Sequence, residues 1–265
     1  MKKGALSVVF GAAAVALVAA PLLANAGGTI AGKVTYAGKA EQKEFSFAKF
    51  PNPKFCVKTP HKELMDGDKR FLKSIEVGKD GGLKGAVVAV VDIEDKAFMD
   101  GYAGTDTVAE FCEFLPFTGV VVNNKNFRAV NNDADPDDPK SVQGVLHNPH
   151  SFVVKGSSSA TGFNIGLAKK GDKLEKPVVF RGGAEKEGFY RLQCDQHEFM
   201  QSFFLPVSNK HFAVVKEDGS FELKDVPAGK HQVVAWHPFA AKGKKVMFEV
   251  EVAEGGTANL KAEIK

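Results

Sequence analysis

The stretch "QCDQHEFMQ" sets Cys194, His197 and Met200 at C-x2-H-x2-M spacing, and "GVLHNPHSF" further upstream carries His147 and Asn148. A thiolate, an imidazole and a weak thioether within seven residues form a donor set for a soft or borderline metal. With a second imidazole they match the donors of a blue-copper centre, in which two histidines and a cysteine lie in a plane with a long axial methionine. His147 is the candidate for the missing imidazole. Zinc fits less well, because a thioether is a poor zinc ligand and no second cysteine stands nearby. The bland alternative makes Cys194 a buried hydrophobe and Met200 core packing.

Such donors converge only if the chain turns between them. "FYRLQC" alternates so that Tyr190, Leu192 and Cys194 share one face, which predicts a strand delivering the thiol inward at its end. "KPVVF" (176–180) reads as a strand before the turn-forming "RGGAEKEG", and "SFFLPV" (202–207) as another after the motif. A straight strand would send Cys194 and His197 to opposite faces, so the trio makes chemical sense only as a loop. His147 and Asn148 are expected in a strand.

"HNPHSF" followed by "CDQHEFM" resembles the cupredoxins, with the short ligand loop of the amicyanin type. The resemblance implies a single copper ion, cycling between Cu(I) and Cu(II), held by His147, Cys194, His197 and Met200. It also implies that Asn148 steadies the loop by hydrogen bonding near the thiolate, while His150 is not a ligand. Electron transfer would follow, with His197 exposed at its edge as the electron's route, and with a dehydrogenase and a c-type cytochrome as partners. Gln196 and Glu198 stand where that family has prolines, and Glu198 places a charge on a patch that is usually apolar.

The remaining pattern is all-β. "LKGAVVAVVDI" (83–93), "FTGVVV" (117–122) and "NFRAVNN" (126–132) are apolar or β-branched runs bounded by Gly and Asn, with a helix expected at "GTDTVAEFCEF". We read 83–208 as a Greek-key sandwich of cupredoxin type. "KEDGSFELKDVPAGKHQVVAWHP" resembles the small transthyretin-like sandwich of carboxypeptidase regulatory-like domains, which gives 209–265 as a second β module. "TIAGKVTYAGKA" resembles the opening strand of that same module, so residues 27–82 form an N-terminal β segment that either completes it or docks separately.

Residues 1–26 carry the parts of a secretory signal: Lys2 and Lys3, an apolar stretch, and "ANA" ending at Ala26. An uncleaved anchor is the alternative, against which Pro21 interrupts the run. Cleavage after Ala26 predicts an exported, periplasmic protein without a membrane span in its mature chain. Removing the two lysines takes the formal charge from +3 to +1, and nothing in that balance points to nucleic acid.

Export makes the three cysteines informative, since an odd number in an oxidising compartment leaves one over. Cys56 and Cys112 lack a histidine at ligand spacing and are expected to pair, leaving Cys194 as the thiol. Asp133, Asp135 and Asp137 alternate as in a carboxylate loop, but Pro136 and Pro139 break the geometry calcium needs. His61 stands in the polar "TPHKEL" stretch, and His211, His231 and His237 are expected to pack or lie at the surface. No phosphate-binding glycine loop or nucleophile–histidine pair is present, and a single copper with four protein ligands has no open position for substrate, so a non-enzymatic electron carrier is expected. A copper carrier or chaperone, or a structural β-sandwich with a degenerate site, are the alternatives.

Overall fold

A computed structural model describes residues 27–265 apart from positions 41, 42, 68 and 73; the expected signal segment, 1–26, lies outside the described residues. Strand accounts for 48% and helix for 11%, and among the described residues the longest helix, Lys96–Gly101, has six residues, so the fold is all-β. Among the described residues no helix is long and apolar enough to cross a membrane.

Two sheets enclose the motif. One has five strands in the order Thr118–Val121, Gln201–Pro206, Phe189–Cys194, Pro149–Lys155, Ser158–Asn164. The other has four, in the order Lys173–Pro177, Asn126–Asn131, Thr105–Glu110, Glu113–Leu115. Alternation builds the core between them: Tyr190, Leu192 and Cys194 from one sheet meet Ala109, Phe127, Ala129 and Leu174 from the other. The Phe127 ring stands 5.2 Å from both Tyr190 and Phe204. Burying side chains of this size contributes on the order of 1.5–3 kcal/mol each.

A second sandwich pairs the ends of the chain. Gly28–Tyr36 lies between Ser220–Val226, antiparallel, and Thr257–Ile264, parallel, so the opening strand and the C-terminal segment share one sheet. Its companion sheet runs Phe212–Val214, Val87–Val90, Gly229–Trp236, Val246–Val252. Val87–Val90, expected at the start of the copper domain, therefore belongs to this flanking sandwich instead. Val88 and Val90 face its core, whereas Val87 and Ala89 face outward, where they meet Val234 and Trp236 and the outer face of the five-stranded sheet at Phe203 and Leu205. Both faces of the strand are covered, which is why "AVVAVV" is unbroken by polar residues.

The helix expected at "GTDTVAEFCEF" is instead a hairpin, Thr105–Glu110 with Glu113–Leu115. Thr105, Thr107 and Ala109 alternate inward, and the turn puts Phe111 and Cys112 at φ 50° and 56°. Two left-handed residues are what a two-residue hairpin turn requires, and Asn or Gly would normally announce it. "KPVVF" is also displaced: the strand is Lys173–Pro177, and Val178 and Phe180 follow it as buried loop residues.

Candidate metal centre

The thiol of Cys194 leaves the end of Phe189–Cys194 fully buried. The loop after it closes through two backbone bonds, Met200 N–H to the His197 carbonyl at 2.8 Å and Cys194 N–H to the Met200 carbonyl at 3.0 Å. This tight closure turns His197 back toward the sulfur, with Nδ1 3.7 Å from Sγ. His147 precedes the neighbouring strand in an isolated bridge with Leu167, not in a regular strand as expected, and its Nδ1 lies 3.9 Å from the same sulfur. Asn148 donates its backbone N–H to Cys194 Sγ at 3.3 Å and accepts from Asp195 N–H at 3.1 Å. It thus pins the loop through its main chain.

Both imidazoles present Nδ1 to the thiol because Nε2 is engaged on the far side. His147 Nε2 lies 2.8 Å from Asp133 Oδ2, and His197 Nε2 lies 3.0 Å from the Pro51 carbonyl. A proton fixed on Nε2 leaves Nδ1 as the free donor. The ligand atoms of His147, Cys194 and His197 all fall within 4.8 Å of one another, and all three residues are buried. Two imidazole nitrogens and one sulfur, dry and already oriented, are the donors copper takes in a trigonal plane. Met200 is 1% exposed and packs in the same core cluster as Cys194 and Phe199.

Asp133 is the residue that sequence reasoning missed. It is 2% exposed, and besides His147 its carboxylate accepts from Phe111 N–H at 2.6 Å and Cys112 N–H at 2.9 Å. One carboxylate thus orients a histidine and satisfies the two left-handed residues of the hairpin turn. Its neighbours diverge from it, since Asp135 and Asp137 both pair with Lys58, at 2.9 and 2.8 Å. The three alternating aspartates therefore do not converge on one point.

The electrostatics form a coupled pair. Burial alone pushes the Cys194 thiol up, but the hydrogen bonds and charges of His147 and His197 outweigh it and hold the thiol down at about 6. For His147, burial lowers the pKa, and the Asp133 carboxylate and the Cys194 sulfur outweigh that and raise it to about 9. Without metal the site therefore favours thiolate beside imidazolium, with the two protonation steps belonging to the pair.

The loop histidine is not exposed as expected. His197 has no solvent-accessible surface, because residues 44–67 and 69–72 fold over it as a strap. Phe199 sits among Phe47, Phe50 and Phe45 at ring separations of 5.3, 5.1 and 6.1 Å. Cys56 and Cys112 form the expected disulfide, and their sulfurs lie within 4.8 Å of a His197 ring nitrogen. Arg70 and Glu113 close the strap with a buried ion pair at 2.7 Å, and Thr59 Oγ1 donates to the same carboxylate.

Neither a family model nor a curated protein matches the chain. Solved structures that overlap it are cupredoxins and a related enzyme. A purple cupredoxin from Nitrosopumilus maritimus is 16% identical with TM-score 0.29, over 39% of this chain and 99% of that one. The copper-containing nitrite reductase of Thermus scotoductus is 15% identical with TM-score 0.28, over 40% of this chain and 23% of that one. An oxidised amicyanin mutant is 15% identical with TM-score 0.27, over 41% of this chain and 89% of that one. Overlap at these scores does not define the fold, which rests on the sheets described above.

Proposed function

We propose that the chain binds one copper ion through His147, Cys194 and His197, with Met200 as the weak fourth donor, and serves as a periplasmic one-electron carrier. The observation that supports this most is the convergence of two Nδ1 atoms on one buried thiol, each imidazole held from behind by its Nε2. Bound there, copper would supply a single-electron couple between Cu(I) and Cu(II).

The residues do the rest. Asp133 and the Pro51 carbonyl fix both rings, Asn148 N–H holds the sulfur, and the strap excludes water. A copper ion held there would meet donors already oriented, so little rearrangement would accompany a change in its oxidation state. Four protein donors in a closed pocket leave no position for a substrate, which favours a carrier over an enzyme. Full burial of His147, Cys194 and His197 also disfavours handing the ion on, since ligand exchange needs access. A dehydrogenase or other donor and a c-type cytochrome are the proposed partners.

The deciding measurement is the visible and electron paramagnetic resonance spectrum of residues 27–265 after loading with Cu(II). An intense thiolate-to-copper band with narrow hyperfine splitting is expected, lost in Cys194→Ser and retained with a shifted potential in Met200→Gln. A pale, ordinary cupric spectrum, or colour that survives in Cys194→Ser, overturns the assignment.

A further inference from the structure

The strap that buries His197 also fixes where the site comes nearest to a partner. His197 Nε2 donates to the Pro51 carbonyl at 3.0 Å, and Pro51 itself is exposed. One hydrogen bond therefore links the imidazole to a residue on the outer surface. The link is rigid, because Cys56 is tied to Cys112 and the rings of Phe47 and Phe50 clamp Phe199 beneath it.

Charge distinguishes that outer surface. Residues 43–72 contain Lys43, Lys49, Lys54, Lys58, Lys62, Lys69 and Arg70 against Glu44, Glu63, Asp66 and Asp68. Several of these charges are engaged: Glu44 with Lys69, Arg70 with Glu113, Lys58 with Asp135 and Asp137, Lys62 on the Val57 carbonyl, Lys43 over the Phe45 ring. Lys49 and Lys54, which bracket Pro51 in the chain, are exposed and have no ion pair among the described residues. Two cations without an ion pair thus stand on either side of Pro51 in the chain, Lys54 in a groove that it shares with Asp135, Asp137 and Asp138.

We propose that the outer face of the strap around Pro51, flanked by Lys49 and Lys54, is the docking surface for the redox partner, and that this partner is a one-electron redox protein with carboxylates around its cofactor edge. The proposal rests on the copper reading above. In the transfer one electron crosses: Cu(II) becomes Cu(I) as the partner's centre loses one, or the reverse. Complementary charge of this kind sets encounter rate and orientation more than affinity.

The test uses copper-loaded, reduced protein in stopped flow with two one-electron oxidants of opposite charge, hexacyanoferrate(III) and tris(phenanthroline)cobalt(III). In the double variant Lys49→Glu with Lys54→Glu, oxidation by the anion should slow about tenfold and oxidation by the cation should quicken comparably, both effects shrinking with salt. A control pair of exposed lysines in the strand Lys173–Pro177, Lys173→Glu with Lys176→Glu, makes the same change in net charge and should move neither rate more than about twofold. Polyglutamate, standing for the partner's carboxylates, should slow the anionic oxidant with the parent protein and not with the strap variant. A blue protein whose strap variant behaves like the parent or like the control overturns the docking surface and leaves the copper reading intact. Absence of the thiolate-to-copper band on loading, before any oxidant is added, overturns both.

Discussion

At the scale of single residues, the thiol and the two imidazoles behave as one unit. Cys194 is the one free cysteine among the described residues, so thiolate absorbance in the ultraviolet reports it alone. In the metal-free protein that absorbance should grow in around pH 6, well below the range of an ordinary thiol near 8.5. Asp133→Asn removes the carboxylate that favours the protonated His147, so the thiolate loses a charge partner and its midpoint should move up. An unchanged midpoint would show that Asp133 does not act through His147. Because His147 titrates at about 9, a metal arriving at pH 7 must displace its Nδ1 proton. Calorimetry in buffers of different ionisation enthalpy should show roughly one proton released, and weaker binding as pH falls. The spacing of Cys194, His197 and Met200 and the upstream His147 were legible in sequence because loop ligands sit close together along the chain. Asp133 was not, since an aspartate in "NNDADPDD" looks like any other until the fold buries it. Nor was Pro51, whose contribution is a carbonyl that every residue possesses.

At the scale of elements, the strap is the part that composition conceals. Its fastening is covalent at Cys56–Cys112 and electrostatic at Arg70–Glu113. Replacing both cysteines by serine should lower stability by about 4 kcal/mol in the chain-entropy model, read as a shift in denaturant midpoint. The same change should let solvent reach His197, seen as faster oxidation of the reduced site by small reagents of either charge. Glu113→Ala leaves the Arg70 cation buried without its partner and should cost about 3–5 kcal/mol; a cost under 1 kcal/mol would mean that water replaces the carboxylate. Strands were legible where alternation was clean, as in "FYRLQC" and "NFRAVNN". "GTDTVAEFCEF" misled because its turn places Phe111 and Cys112 in left-handed conformations with no Gly or Asn to signal them. The turn is sustained by Asp133, more than twenty residues later, and no local pattern carries that information.

At the scale of the whole molecule, the two sandwiches share an apolar seam built from Val87, Ala89, Phe203, Leu205, Val234 and Trp236. Trp236 is fully buried there, with its ring 5.3 Å from Phe189 and its Nε1–H donated to the Gly243 carbonyl at 3.0 Å. Trp236→Ala should cost about 3–5 kcal/mol. In calorimetry of the copper-loaded protein the blue colour should bleach together with the main heat absorption, because the seam backs the same sheet that carries Cys194. Colour that outlasts the main transition would mean that the two sandwiches unfold independently. Which sheet "AVVAVV" would join was not legible: an unbroken apolar run announces that both faces are covered, without saying by what.

The pairing of Gly28–Tyr36 with Thr257–Ile264 also orders events in time. As the chain grows from its N-terminus, every strand that encloses Cys194 has been made by Pro206, whereas the first strand must wait for the last before both its edges are paired. The sandwich around the thiol can therefore close while the flanking one is still incomplete. Until residue 264 arrives, one edge of Gly28–Tyr36 stays open to any passing strand.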